Sequence, residues 1–129
     1  MQNYLLHRTF FRWLDKEAIN VLKNRTMHTA QRFHLDQRLG EIKLRRTKSK
    51  WGHCTSRGDI QYNPLIVLAP ERVIDYLVAH ELAHLLHRNH SNRFWLQVEK
   101  MHAEYRCAEK WLSEEGYRLA IDMPVRPDS

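Results

Sequence analysis

Residues 73–95 read VIDYLVAHELAHLLHRNHSNRFW, and this stretch decides how the rest of the chain is interpreted. From Val73 to Leu86, apolar side chains occupy almost every position around a helix, a pattern typical of a helix that is buried on most sides. Pro70 suits the first turn of such a helix, and Asn89 can adopt the left-handed conformation that ends one. The sequence therefore predicts a buried helix from Pro70 to about His87.

Two histidines and a glutamate lie inside this apolar helix in the pattern H-E-x-x-H, as His80, Glu81 and His84. Residues four apart lie on one helix face, about 6 Å apart along the axis, so both imidazoles can bind one metal ion. Glu81 points about 100° away from His80 and can accept a proton from a water molecule on that ion. Burying these groups without partners would cost several kcal/mol. The apolar surroundings therefore favour a zinc site over a pair of surface histidines.

A third metal ligand must approach from another direction, because catalytic zinc keeps three protein ligands and one open position. His90 lies beyond the predicted helix end and can turn back toward the ion. His87 falls on the same helix face and would only extend a straight row of ligands. The spacing of His90 also equals that in H-E-x-x-H-x-x-G-x-x-H zinc peptidases. We therefore expect His90 to be the third ligand, with His87 and a downstream glutamate, Glu99 or Glu104, as alternatives.

Three further helices are predicted from the periodicity of apolar residues. They cover residues 4–33, 92–105 and 108–115. Ser91 is suited to cap the start of the second of these helices, and Gly116 to end the third.

Short strands and a turn are expected between the N-terminal helix and the H-E-x-x-H helix. Apolar and basic residues alternate over residues 41–47, which predicts a half-exposed strand. Ser56–Asp59 is a turn-forming run, and residues 60–62 can pair back as a second strand. These elements indicate an α+β fold with a short antiparallel sheet or hairpin.

Length and composition are those of one small globular domain. The chain has 129 residues, of which 43% are hydrophobic and 28% charged, and a net charge of +6. We expect a single domain over residues 1–129, with a catalytic core at about 41–115 and a frayed tail at 117–129. Two cysteines far apart, Cys54 and Cys107, favour a reduced, cytoplasmic chain over a disulfide framework. The charged N-terminus predicts neither a signal peptide nor a membrane span.

Two segments resemble the YgjP-like metallopeptidase family, which is related to SprT-like and WLM domains. Residues 51–63 read WGHCTSRGDIQYN and match a W-G-x-C-[ST] turn before a strand. Residues 74–95 then supply H-E-L-x-H and N-H-S-x-x-F-W. The resemblance covers roughly residues 45–111, about half of the chain.

The resemblance implies a small zincin-like domain that acts as a zinc metallopeptidase on a peptide or protein substrate. It implies one Zn²⁺ per chain, held by His80, His84 and His90. It also implies that Glu81 is catalytic and activates a zinc-bound water. From the cysteines and the charged N-terminus, in contrast, we expect a cytoplasmic protein without a membrane partner.

Three aromatic or amide residues are candidates for substrate binding outside the metal site. Tyr62 and Asn63 end a strand that can form the upper edge of the cleft, where zinc peptidases add the substrate peptide as a strand. Tyr105 can donate a hydrogen bond to the oxyanion. Because Tyr105 lies on an apolar helix face, a position in the hydrophobic core is the more common role for such a residue.

Two other functions remain open, and a run of basic residues suggests the first of them. The basic run consists of Lys43, Arg45, Arg46, Lys48 and Lys50, and these residues are candidates for binding phosphate. SprT-like relatives act on proteins bound to DNA, so the resemblance makes a DNA-associated protease one alternative. A non-catalytic zinc module is the other, in which Cys54 or His87 would fill the fourth position on the metal. A solvated strand and loop remains the common explanation of such a run.

Overall fold

Helices surround a small sheet in the computed structural model, which describes residues 2–121 and confirms the predicted α+β class. Within those residues the elements follow in the order α1 Gln2–Arg32, β1 Ile42–Leu44, β2 Gly52–Cys54, β3 Ile60–Tyr62, a 3₁₀ helix Pro64–Leu68, α2 Glu71–Ala83, α3 Asn92–Met101, α4 Tyr105–Glu115 and α5 Tyr117–Ile121. No helix in the described part of the chain is long and apolar enough to cross a membrane.

The sheet is mixed, whereas the sequence predicted an antiparallel one. Its order is β1-β3-β2, with β3 antiparallel to β2 and parallel to β1. The predicted turn joins β2 to β3, and Gly58 adopts a φ of 90° there, which suits glycine. The strand β2 itself was not predicted. The loop between β1 and β2 carries the chain past β3, so β2 returns on the far side and becomes an edge strand.

The long helix α1 packs across the 3₁₀ helix and α2. Its buried stripe repeats at helical spacing, as predicted, with Leu14, Ala18 and Leu22 all fully buried. Thr26 lies on the same face and forms a 2.8 Å hydrogen bond with the hydroxyl of Tyr62 on β3. This contact satisfies two polar groups that would otherwise be buried without partners.

The helix α2 is buried on most of its surface, as predicted, but it ends four residues earlier than expected. It stops at Ala83, and His84 occupies the C-cap position. Backbone N–H groups of His84, Leu85 and Leu86 donate to carbonyls three residues back, which tightens the last turn. Among the described non-glycine residues only His34 has a positive φ, so Asn89 does not end the helix in the predicted way.

The C-terminal part contains three helices where two and a frayed tail were predicted. Ser91 caps α3 as expected, since its side chain accepts a hydrogen bond from Phe94 N–H. The backbone of His102 is extended, with φ −151° and ψ 94°, and this breaks the predicted helix 92–105 after Met101.

The predicted frayed tail is wrong over Tyr117–Ile121, which form the short helix α5. Gly116 keeps a right-handed helical conformation, so the chain continues in a helical path after α4. Leu119 then packs against the core, which stabilises the extra turn. The rest of the predicted tail, residues 122–129, lies outside the described residues.

Candidate metal centre

The three predicted histidine ligands come together at the end of α2. Their donor atoms, one each from His80, His84 and His90, all lie within 4.8 Å of one another. The Nε2 atoms of His80 and His90 are 3.3 Å apart. Zinc–nitrogen bonds of about 2.0–2.1 Å at tetrahedral angles place two ligand nitrogens about 3.3–3.4 Å apart. The donor set therefore fits a zinc ion, and the pair His80 and His90 already has the spacing of two zinc ligands.

Hydrogen bonds from the opposite ring nitrogens orient two of these imidazoles. His84 Nδ1 lies 3.0 Å from the carbonyl oxygen of His87. Because a carbonyl only accepts, His84 Nδ1 carries the proton and Nε2 keeps its lone pair for a metal. His80 Nδ1 lies 3.2 Å from the hydroxyl of Tyr76, which in turn donates to Glu109 at 3.5 Å. His80 thereby also presents Nε2 to the cluster.

Two aromatic rings of α3 pack against the histidine cluster. The ring of Phe94 is fully buried and its centroid lies 4.5 to 5.0 Å from those of His80, His84 and His90. Trp95 stacks on His90 at 5.9 Å. Burial lowers the pKa of His80 to about 3, with a further contribution from His84. His80 is therefore neutral at physiological pH, which is the state that binds metal.

Glu81 is the one buried carboxylate of α2, and it faces the cleft from beside the histidines. Its side chain is 3% exposed. Burial raises the pKa of Glu81 to about 8, and the charge of Lys50 partly opposes this shift. Gly52 of β2 lies against the carboxyl group, where a Cβ atom would come within 2.6 Å of Oε2. The approach of β2 to α2 therefore depends on a residue without a side chain.

A cleft of about 440 Å³ opens over these groups. One wall is the face of α2 that carries His80 and Glu81, and the other is β2 with the residues that precede it. Lys50, Trp51 and Cys54 lie on the second wall, and Arg88 lies near the entrance. The cleft therefore opens directly onto the histidines and Glu81.

The predicted substrate-binding residues lie elsewhere. Tyr62 is fully buried and bonded to Thr26 on the central strand, so the prediction that its strand forms the cleft edge is wrong. Asn63 accepts a hydrogen bond from Leu65 N–H and donates one to Thr47 O, and so holds the neighbouring loop. Tyr105 is buried and stacks on Trp95 at 5.3 Å, so it packs in the hydrophobic core. The edge strand beside the cleft is β2.

The other candidate ligands lie outside the histidine cluster. Within residues 2–121 this cluster is the one group of three or more potential ligands. His87 contributes its backbone carbonyl to His84, and Glu99 and Glu104 are exposed. Cys54 lines the cleft, but its thiol contacts Thr55 O and burial raises its pKa to about 11. No described side chain therefore fills a fourth position, which the non-catalytic alternative requires.

The basic run does not form one uniform surface. Lys43 pairs with Glu41 at 3.2 Å. Arg46 pairs with Asp15 at 2.6 Å and lies over the ring of Phe11. The cations of the run without an ion pair among the described residues are Arg45, Lys48 and Lys50. Phosphate binding by the run stays a prediction.

Sequence reasoning missed the residues that support the site from other elements. Tyr76 was read only as an apolar position, although it lies four residues before His80 and so on the same helix face. Glu109 lies on α4, and no pattern in the sequence connected it to the histidines. Phe94 was quoted as part of a motif, but its contact with all three histidines was not anticipated.

Comparisons with known proteins support the fold and the family resemblance. A family model described as "YgjP-like, metallopeptidase domain" matches residues 2–115, a wider range than the segments first noticed. The crystal structure of the metallopeptidase zymogen of Pyrococcus abyssi abylysin superposes with a TM-score of 0.64. It is 21% identical, and the match covers 74% of this chain and 95% of that one, so it shows a shared fold. No curated protein sequence matches.

Proposed function

The chain belongs to the YgjP-like metallopeptidase family, and from this premise we propose that it is a zinc-dependent peptidase with Glu81 as general base. The observation that carries the proposal is the position of a buried carboxylate directly beside three converging imidazoles. His80, His84 and His90 would hold the metal. Three nitrogen donors with a fourth position facing an open cleft are the donor set of a catalytic zinc site.

The metal, when bound, supplies a Lewis acid that polarises the scissile carbonyl and acidifies water. Glu81 accepts the proton of the water molecule whose oxygen forms the new bond to the carbonyl carbon. It then donates this proton to the amide nitrogen as the carbon–nitrogen bond breaks. Burial brings the pKa of Glu81 to about 8 in the metal-free protein, and a nearby divalent cation favours the ionised form that accepts the proton.

The strand β2 is the element that we propose binds the peptide backbone. It lies at the edge of the sheet and forms one wall of the cleft. Backbone groups on the outer side of an edge strand are free to pair with an extended peptide. Such pairing would hold the substrate along the wall opposite the histidines.

A cytoplasmic location is part of the proposal. It rests on the two cysteines, of which Cys54 is buried and Cys107 exposed, and which form no disulfide with each other. An exposed free thiol is typical of proteins in a reducing compartment.

The decisive experiment separates metal binding from proton transfer. Glu81→Gln removes the proton acceptor and keeps every imidazole, so zinc content should stay near one per chain. Hydrolysis of a denatured protein or peptide mixture should fall about 100-fold or more, as is usual when a general base is lost. Glu99→Gln, which removes an exposed carboxylate of α3, is the matched control. If Glu81→Gln cleaves as fast as this control, the mechanism is wrong.

A further inference from the structure

A second hollow of about 210 Å³ adjoins the metal-site cleft. The two share Lys50, Trp51, Gly52 and His53, which are β2 and the residues that lead into it. The rest of the second hollow is polar and includes Arg45, Thr47, Gln61 and Asn63. A substrate that pairs with β2 would therefore meet both hollows.

The charges in the second hollow are all positive. No Asp or Glu is among its described lining residues, and Arg45 and Lys50 form no ion pair within residues 2–121. The guanidinium of Arg45 has only a 3.4 Å contact with the neutral amide of Gln61. The charge of Lys50 also acts on Glu81 in the neighbouring cleft, but no described carboxylate lies in the second hollow itself, so its two cations favour an anionic ligand there.

The hollow is held in shape by the surrounding backbone. Thr47 Oγ1 donates to Lys50 O and accepts from Lys50 N–H, which fixes the turn that carries Lys50. Asn63 donates to Thr47 O, and Asn63 N–H donates to Trp51 O. These hydrogen bonds fix the backbone of the loop that carries Lys50 before a ligand binds.

The second hollow extends over the outer face of β2, beside Gln61 of β3. Gly52 and Cys54 face α2, whereas His53 pairs in register with Gln61 on the outer face of the sheet. Side chains of an added strand would alternate in the same way. If one substrate side chain enters the metal-site cleft, the residue before or after it therefore faces the hollow between Arg45 and Lys50.

We propose that this hollow is a specificity subsite for a carboxylate, so that the enzyme favours peptides with Asp or Glu next to the residue that enters the metal-site cleft. The proposal rests on the proposed peptidase function. A nucleic-acid phosphate is the less favoured anion, because Lys43 and Arg46, which would extend the surface, already pair with Glu41 and Asp15.

Binding provides the first test, because it does not depend on turnover. The zinc-loaded Glu81→Gln variant is titrated with fluorescent peptides that carry Glu or Gln at each position in turn. At one or two positions Glu should bind about tenfold more tightly than Gln, which corresponds to one good charge-assisted contact. Adding Arg45→Gln or Lys50→Gln should bring this ratio close to one. Lys23→Gln, which removes an exposed cation of α1, should leave it unchanged. Equal affinity for Glu and Gln peptides at every position would overturn the subsite.

Hydrolysis by the zinc-loaded parent chain distinguishes failure of the subsite from failure of the function. Cleavage of Glu and Gln peptides with the same kcat/KM would overturn the subsite and leave the peptidase intact. Tighter binding of Glu peptides without hydrolysis of either would support the subsite and overturn the peptidase. A short DNA duplex that displaces the peptide, and whose binding needs Lys43 and Arg46 as well, would assign the surface to phosphate instead.

Discussion

Gly52 and Glu81 are in contact across the space between β2 and α2, and a Cβ atom at position 52 would lie 2.6 Å from Oε2 of Glu81. We predict that Gly52→Ala displaces the carboxyl group and lowers kcat/KM by about 10- to 100-fold, the usual effect of misplacing a catalytic group by about 1 Å. Zinc content and the far-ultraviolet circular dichroism spectrum should stay those of the parent. Full activity with the same zinc content would show that Glu81 does not need its present position.

His90 should be the third metal ligand. His90→Ala is expected to weaken zinc binding by about 100-fold or more, because it leaves two imidazoles where three converge. His87→Ala should bind zinc almost normally, since His87 acts through its backbone carbonyl. Competition with a chromophoric chelator measures both affinities. A stronger loss in His87→Ala than in His90→Ala would exchange their roles.

Tyr76 is expected to be a positioning residue for His80. Tyr76→Phe removes the hydroxyl that lies 3.2 Å from His80 Nδ1 and keeps the packing of the ring. Zinc affinity should fall about 10- to 100-fold, as for other partners of metal-binding histidines. Tyr117→Phe, at an exposed tyrosine, is the control. Unchanged zinc affinity with a lowered melting temperature would leave Tyr76 only a structural role.

The metal-free protein should lose stability as the pH rises from 6.5 to 8. Glu81 has a pKa of about 8 in the folded chain and 4.5 as its model value, so in this range the folded state binds the extra proton and unfolding becomes easier as pH rises. The loss should be about 1.5 kcal/mol, or a few degrees in Tm. Below pH 6.5, His80 acts in the opposite direction, because burial lowers its pKa to about 3.

Thermal melts with a chelator present measure this effect in the parent and in Glu81→Gln. When Tm is plotted against pH, the variant should lack the part of the slope that comes from Glu81. All other titratable groups should contribute equally in the two proteins. Parallel slopes in the two proteins would mean that Glu81 is ionised at neutral pH even without metal.

The histidine cluster was predictable because its geometry is local. His80 and His84 are related by one helical turn, and His90 follows six residues later, so spacing alone limits where their side chains can lie. The apolar residues around them gave the second signal, since buried imidazoles need partners. Glu109, which supports His80 through Tyr76, comes from another helix and no local pattern connects it to the site.

The sheet was harder to predict because its pairing is not local. Each strand has three residues, too few to show a clear alternation, and β2 was therefore missed. Without β2, the strand of Tyr62 was taken for the cleft edge, although it is the centre of the sheet. The end of α2 was misplaced because its apolar pattern continues through Leu85 and Leu86. From His84 to Leu86, however, the backbone hydrogen bonds already join residues three apart.

The early end of α2 has an electrostatic consequence. The aligned peptide dipoles of a helix leave about half a negative charge at its C-terminus. Because α2 stops at Ala83, this charge lies beside His80 and His84, where a helix reaching His87 would have carried it a full turn farther along the axis. The backbone of α2 therefore creates a negative potential where a cation would be bound, and imidazole side chains supply no negative charge of their own.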